Sequence, residues 1–168
     1  MVVIGAPSVA CPQRRACLGG AGRCVVRVCE RLADMTKDTA PPSAPLRCPC
    51  GSGDTFAACC GPLLAGAPAP TAERLMRSRY TAFVREDAAH LLRTWHPSTR
   101  PSSLVFEPEL EWRRLLIVDR VAGGPFDREG VVEFEAFWRQ DGARGSLRER
   151  SRFVRGDGGW SYLDGLVG

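Results

Sequence analysis

Residues 131–155, VVEFEAFWRQDGARGSLRERSRFVR, contain two runs of alternating character on either side of Asp141–Gly142. Alternation with a period of two is typical of half-buried β-strands, and Asp-Gly between two such runs predicts a tight hairpin. A loop with an even number of residues would place one largely apolar set on a single face: Val132, Phe134, Ala136 and Trp138 with Leu147, Glu149, Ser151 and Phe153. The other face would then carry complementary charges, from Glu133, Glu135, Arg148, Arg150 and Arg152. Because opposite charges on neighbouring strands are favourable, the even loop is the predicted one.

The period of two recurs on both sides of this hairpin, in EWRRLLIVDRV at 111–121 and in WSYLDG at 160–165. Turn signals separate the runs at AGGPF and GDGG, which predicts a meander of four strands. Continuing the alternation through GDGG places Tyr162 and Asp164 on the apolar face of the sheet.

Two helices are predicted ahead of the strands. Residues 72–86 carry an apolar stripe at helical spacing behind Thr71, a residue type that caps helix N-termini. Asp87 can cap a second, shorter helix that Pro97 ends, and His90 is expected on the solvent side of that helix. Helices followed by an antiparallel meander predict an α+β domain in which the helices pack on one face of the sheet.

Polar side chains interrupt both predicted apolar surfaces. Arg79 falls within the helical stripe, and three further polar residues fall on the apolar face of the sheet, namely Glu149, Ser151 and Asp164. Burying a carboxylate costs several kcal/mol unless it is paired. Arg79 is therefore expected to face Glu149 or Asp164.

Two interpretations of these polar residues stay open. The first is a polar pocket formed by Arg79, Tyr80, His96, Glu149, Ser151 and Asp164. In such a pocket a carboxylate could act as a base, with Tyr80 or His96 as the proton donor. The second is an internal ion pair that fixes how the helix docks on the sheet. The second is favoured, because the sequence contains neither the spacing of a catalytic triad nor a phosphate-binding glycine loop.

The segment CPCGSGDTFAACCG, residues 48–61, places four cysteines at a spacing that suits one metal ion: Cys48, Cys50, Cys59 and Cys60. Four sulfur ligands favour zinc in a closed, tetrahedral structural site. A disulfide between neighbours is disfavoured, since adjacent Cα atoms lie about 3.8 Å apart, below the ~4.4–6.8 Å range of disulfides. The sequence therefore predicts a structural zinc ion without an open position for chemistry.

CPCGSG followed by CCG resembles the SEC-C motif, a zinc-binding module also present in the C-terminal tail of the SecA translocation ATPase. Two further segments, LMRSRYTAFVREDAAHLLRTWHPST and ERSRFVRGDGGWSYLDG, resemble the YchJ-like family of uncharacterised bacterial proteins. This resemblance implies an N-terminal SEC-C zinc motif joined to a cystatin-like, nuclear transport factor 2-like (NTF2-like) cone, in which helices pack into a curved antiparallel sheet. It implies a fold and a metal, but no particular activity.

These patterns predict four parts: a disordered extension at 1–46, the SEC-C zinc motif at 47–61, a linker at 62–70 and the NTF2-like domain at 71–168. We call the segment at 47–61 the knuckle. Met35 opens a segment that is typical of a protein start, so residues 1–34 are expected not to be translated. Residues 1–34 also hold three of the four net positive charges. The nearly neutral remainder lacks the basic surface of a nucleic-acid binder, which disfavours nucleic-acid or ribosome contact.

The sequence contains neither a secretory signal nor an apolar run of membrane-spanning length. Its cysteines are therefore expected to be metal ligands or free thiols in the cytoplasm. The predicted function is that of a non-enzymatic zinc protein whose knuckle and cone contact a protein partner. The alternative is a small-molecule enzyme or ligand-binding protein that uses the polar pocket.

Overall fold

The computed structural model describes residues 46–168. The predictions for residues 1–45, namely a disordered extension and a start at Met35, lie outside the described residues. Within the described residues, three helices precede four strands. Their bounds are α1 Gly61–Leu64, α2 Ala72–Val84, α3 Ala88–Arg93, β1 Glu111–Ala122, β2 Glu129–Gln140, β3 Ala143–Gly156 and β4 Gly159–Val167.

The four strands form one antiparallel sheet in the order β1-β2-β3-β4. In the central hairpin Gln140 pairs with Ala143, so the loop consists of Asp141 and Gly142 alone. Their φ angles of 50° and 82° are those of a type I′ turn, whose twist matches that of the flanking strands. Phe134 lies opposite Glu149, which confirms the predicted even loop and its register.

Helix α2 covers the apolar face of the sheet and forms the core with it. We call this face the inner face and the opposite, charged face the outer face. Thr71 accepts a hydrogen bond from the Arg74 backbone N–H at 3.1 Å, so the predicted N-cap is confirmed. The buried core comprises Leu75, Met76 and Tyr80 of α2 together with Val132, Phe134, Ala136, Phe153 and Trp160 of the strands. Full burial of a side chain the size of Val, Leu, Met or Phe contributes roughly 1.5–3 kcal/mol. The predicted α+β architecture is confirmed.

The prediction for Asp164 is wrong, because β4 contains a bulge. Arg152 pairs with Asp164, whereas Phe153 pairs with Tyr162, so Leu163 is an extra residue in β4. A bulge shifts every following side chain to the other face of the sheet. Asp164 therefore lies on the outer face, where two nitrogens of Arg152 donate to its carboxylate at 2.6 and 2.5 Å.

The prediction for His90 is also wrong, because its side chain is only 1% exposed. Its Nε2 lies 3.0 Å from the Ser78 hydroxyl and its Nδ1 lies 3.0 Å from an Arg93 nitrogen. Arginine can only donate, so Nδ1 is the acceptor and Nε2 carries the proton. Burial, followed by the positive charge of Arg93, lowers the pKa of His90 to about 4.

None of the helices within residues 46–168 has the length and apolar character that crossing a bilayer requires.

The buried, neutral His90 makes stability depend on pH. Between about pH 6.5 and pH 4 the unfolded chain protonates this histidine while the folded chain does not. The free energy of unfolding should therefore fall as the pH drops through this window. His90→Gln should remove part of that slope, measured by urea denaturation at a series of pH values. His96→Gln is the control for the loss of a histidine as such, and equal slopes in His90→Gln and the unchanged protein would contradict this account.

Candidate metal centre and neighbouring polar cluster

The four cysteines of the knuckle converge on one point. Their sulfur atoms all lie within 4.8 Å of one another, and their side chains are between 0 and 5% exposed. Cys50 and Cys59 sulfurs lie 3.5 Å apart, and Cys59 and Cys60 sulfurs lie 3.8 Å apart. A tetrahedral ion with metal–sulfur bonds of about 2.3 Å separates its ligands by about 3.8 Å, whereas disulfide sulfurs lie ~2.0 Å apart. The cluster therefore fits one tetrahedral metal ion and contains no disulfide.

Two short turns bring the cysteine pairs together. In the first turn Gly51 and Gly53 have φ angles of 74° and 90°, a region that glycine adopts without steric cost. The Cys48 backbone N–H then donates to the Asp54 carbonyl at 2.9 Å, which closes the loop. In the second turn the Phe56 carbonyl accepts from the backbone N–H groups of Cys59 and Gly61, which leads directly into α1.

Helix α2 supplies a second layer of contacts around the sulfurs. Arg74 donates to the Cys59 sulfur at 3.3 Å and to the Cys59 carbonyl at 3.1 Å. Arg77 donates to the Cys50 carbonyl at 3.0 Å, and the Thr81 hydroxyl lies 3.9 Å from the Cys48 sulfur. These three residues were not among the site residues predicted from the sequence. Their spacing of three and four places them on one helical face, and that spacing is the signal that could have identified them.

Electrostatics favour a cation at this centre. Four thiolates around a divalent ion carry a net charge of about −2, which the Arg74 guanidinium partly offsets. Among the thiols themselves, the hydrogen bond with Cys60 lowers the pKa of Cys50 to about 4, while burial raises the pKa of Cys48. Because a metal binds thiolates, its binding releases the remaining protons.

The candidate metal centre is part of the main hydrophobic core. The four cysteines belong to the same buried cluster as Leu75, Met76, Tyr80 and Leu115. The segment at 62–70, predicted as a linker, also packs inward. Helix α1 occupies its first residues, and Leu63 is buried. Loss of a metal here would therefore loosen α2 and β1 as well as the knuckle.

Arg74 should affect the affinity of the centre for a metal. Removing a residue that hydrogen-bonds to a metal ligand typically weakens binding about 10- to 100-fold. Arg74→Met should show a loss in that range, measured by competition with a chromophoric zinc chelator. Arg144→Met removes an exposed arginine of β3 and is the matched control. Equal affinities for the two variants would show that the Arg74 contact does not support the centre.

A second group of polar side chains lies between the helices and β3–β4. Glu149 Oε1 accepts hydrogen bonds from the Ser151 hydroxyl at 2.6 Å and from the Tyr162 hydroxyl at 3.0 Å. Arg79 is 3% exposed and donates to the Leu91 carbonyl and to the Thr94 hydroxyl, both at 2.9 Å. We call Arg79, Glu149, Ser151 and Tyr162 the inner polar cluster.

The expected ion pair of Arg79 is absent within residues 46–168. Its guanidinium lies instead over two rings, 4.5 Å from the centroid of Tyr162 and 4.9 Å from that of Trp95. Burial lowers the pKa of Arg79 to about 10, so it stays charged at neutral pH. Burial also raises the pKa of Tyr162, which keeps its hydroxyl protonated as the donor to Glu149. The ring faces and a main-chain carbonyl replace the predicted carboxylate.

The six predicted pocket residues do not form one pocket. Arg79, Glu149 and Ser151 come together, joined by Tyr162, which the sequence had placed on this face without assigning it to the site. The other three lie elsewhere. Tyr80 packs against Trp112 at 6.4 Å between ring centroids, and Asp164 lies on the outer face. His96 is half-buried, and its Nδ1 lies 2.6 Å from the Ser98 hydroxyl.

Gly165 makes room for the Glu149 carboxylate. A Cβ atom at this position would overlap Glu149 Oε1 and its neighbouring carbons. Gly165→Ala should therefore displace Glu149 from its two donors and destabilise the protein by about 1–3 kcal/mol. The free energy of unfolding from urea denaturation measures this. Gly158→Ala is the control, since a Cβ there meets no atom within 4 Å. Equal stabilities of the two variants would refute the close packing at Gly165.

Comparison with known proteins identifies both parts of the described chain. The YchJ middle NTF2-like domain matches residues 71–165, and the SEC-C motif matches residues 46–62. A UPF0225 protein of Streptomyces coelicolor is 53% identical over 119 residues, which cover 70% of this chain and 93% of the relative. A UPF0225 protein of Streptomyces avermitilis is 48% identical over 134 residues, which cover 77% and 93%.

Two solved structures share the fold. The solution structure of a SEC-C motif containing protein from Rhodopseudomonas palustris has a TM-score of 0.62 at 34% identity, covering 72% of this chain and 98% of that one. The crystal structure of a SEC-C motif containing protein from Psychrobacter arcticus has a TM-score of 0.59 at 26% identity, covering 72% and 82%. The predicted resemblance and the NTF2-like fold are thereby confirmed.

Proposed function

The chain belongs to the UPF0225 family of YchJ-like proteins, and on that premise we propose that it is a cytoplasmic zinc protein that binds a protein partner. The observation that carries this proposal is the closed metal centre, in which four buried cysteines supply a complete tetrahedral ligand set. Such a centre leaves no position for a substrate or an activated water. The metal then acts by stabilising the conformation of a protein surface.

Zinc is the metal that suits these ligands best. Four thiolates at tetrahedral spacing select zinc or iron among the common metals, and the compact single-ion geometry is that of structural zinc sites. Thiols that remain free of disulfides also suit the reducing cytoplasm.

Zinc would stabilise the exposed surface of the knuckle. Its exposed residues are Gly51, Ser52, Gly53, Asp54, Ala57 and Ala58. They are small, so a partner can approach the backbone closely. The metal centre and the Arg74 and Arg77 contacts fix this backbone from beneath. A surface fixed in this way loses little conformational freedom on binding, which favours affinity.

The enzyme interpretation has less support. Glu149 Oε1 already accepts two hydrogen bonds and Arg79 already donates two, so both residues are engaged within the fold. A general base needs a free carboxylate within reach of a substrate proton. This pattern of satisfied bonds favours a role in docking the helices on the sheet.

The proposal predicts a partner contact at the knuckle surface. A photo-crosslinking amino acid at Ala58 should give discrete crosslinked proteins in living cells, and Ala57→Arg should abolish them by blocking the surface. The same amino acid at Ala143, an exposed position in β3 next to the β2–β3 loop, is the control and should not give these products. Identical products from Ala58 and Ala143 would refute a specific contact.

The metal part of the proposal is tested on purified protein. Elemental analysis of the purified full-length protein and of Ala57→Arg should find one zinc per chain in both. Chelation should lower the melting temperature of both equally, because the cysteines lie in the core. Protein purified without zinc, and unaffected by a chelator, would overturn the metal part even if the crosslinks form.

A further inference from the structure

A groove lies where the end of α1, the end of α3 and the β3–β4 hairpin meet. It has a volume of about 1030 Å³ and is bounded by the 66–69 loop, the end of α3 with the turn after it, and the β3–β4 hairpin. This volume is close to the upper end of the ~300–1,000 Å³ typical of pockets for small organic ligands. The inner polar cluster does not line this groove, and of the six residues predicted to form a pocket only His96 lines it.

The groove is rich in positive charge. Arg93, Arg100 and Arg155 line it, against a single carboxylate from Asp157. Arg93 and Arg155 already donate to the backbone carbonyls of Leu64 and Pro125. The Arg100 side chain is exposed and forms no salt bridge within residues 46–168. Arg100 is therefore available to bind an anionic group.

The groove also has polar hydrogens without acceptors. Among the described residues, the indole nitrogens of Trp95 and Trp160 are buried without a hydrogen-bond partner, and both residues line the groove. Trp160 is only 4% exposed. Such orphaned donors are rare in folded proteins. Both nitrogens are buried from solvent, and their residues form part of the groove wall.

His96 adds a third donor. The Ser98 backbone N–H donates to its Nδ1 at 3.3 Å, so in the neutral ring the proton lies on Nε2. Apolar side chains also line the groove, including Leu63, Leu75 and Val154. Donors and cations around an apolar floor match a ligand that combines an apolar body with an anionic, acceptor-rich group.

We propose that this groove is a binding site for a small organic anion, whose carboxylate or phosphate group contacts Arg100 and His96 and whose apolar body packs against Trp160. The site is separate from the knuckle surface, so it adds a ligand to the proposed protein-binding role and does not depend on it.

The four tryptophans of the chain make the test direct. In ¹⁵N-labelled full-length protein loaded with zinc, Trp95 and Trp160 report on the groove, while Trp112 and Trp138 lie outside it and serve as internal controls. The probes are phenyl phosphate and benzoate, with benzyl alcohol as the uncharged analogue. At least one anionic probe should shift the indole resonances of Trp95 and Trp160 saturably below about 10 mM. Binding of benzoate alone or of phenyl phosphate alone identifies the preferred anion.

Two matched variants test whether the positive charge of Arg100 binds the anionic probe. Arg100→Ser should weaken binding of the probe about fivefold or more, since it removes a charge-assisted hydrogen bond. Arg144→Ser removes an equally exposed charge outside the groove and should leave the affinity unchanged. The proposal is overturned if neither anion shifts the two groove indoles, if benzyl alcohol binds as well as the anions, or if both variants weaken binding equally.

Discussion

Helix α2 packs against two layers at once, and the rest of the structure depends on this contact. One side of the helix holds the knuckle through Arg74 and Arg77, and the other side packs its apolar stripe on the sheet. The helix begins against the β1–β2 hairpin, where the Ala72 backbone N–H donates to the Gly123 carbonyl at 2.9 Å. A Cβ atom at Gly123 would lie 2.8 Å from that of Ala72, so this approach requires glycine. The SEC-C motif and the NTF2-like domain therefore share one core.

The inner polar cluster shows how a buried guanidinium and a half-buried carboxylate can be accommodated without pairing. Bringing a carboxylate and a guanidinium out of water costs more than their attraction returns unless every donor and acceptor is satisfied. Here two neutral hydroxyls donate to Glu149 Oε1, while a carbonyl, a hydroxyl and two ring faces surround Arg79. Tyr162 joins the two halves, because its hydroxyl donates to Glu149 and its ring stacks on Arg79. This arrangement fixes the angle between helices and sheet.

The polar groups of the described residues are thus of two kinds, those with hydrogen-bond partners inside the fold and those without. Those of the inner polar cluster and around the cysteines have partners within the fold, so their contribution is to stability. In the groove, by contrast, Arg100 forms no salt bridge within the described residues, and the indole nitrogens of Trp95 and Trp160 have no hydrogen-bond partner there. Unsatisfied donors and charges are where a folded protein still gains free energy from a ligand. We therefore propose ligand binding at the groove and partner contact at the knuckle surface.

Local sequence determined the features that arise from short-range geometry. The spacing of Cys48, Cys50, Cys59 and Cys60 indicated one metal site, and Asp141–Gly142 set the register of the central hairpin, because turn type and alternation act over a few residues. Tertiary structure alone decided the rest. The extra residue Leu163 moved Asp164 to the outer face, and packing of Ser78 and Arg93 around His90 buried a histidine that helical periodicity placed in solvent. The second layer at the sulfurs likewise comes from residues 15 to 33 positions away in the chain. Periodicity describes which face a residue occupies on its own element, but what covers that face depends on segments far along the chain.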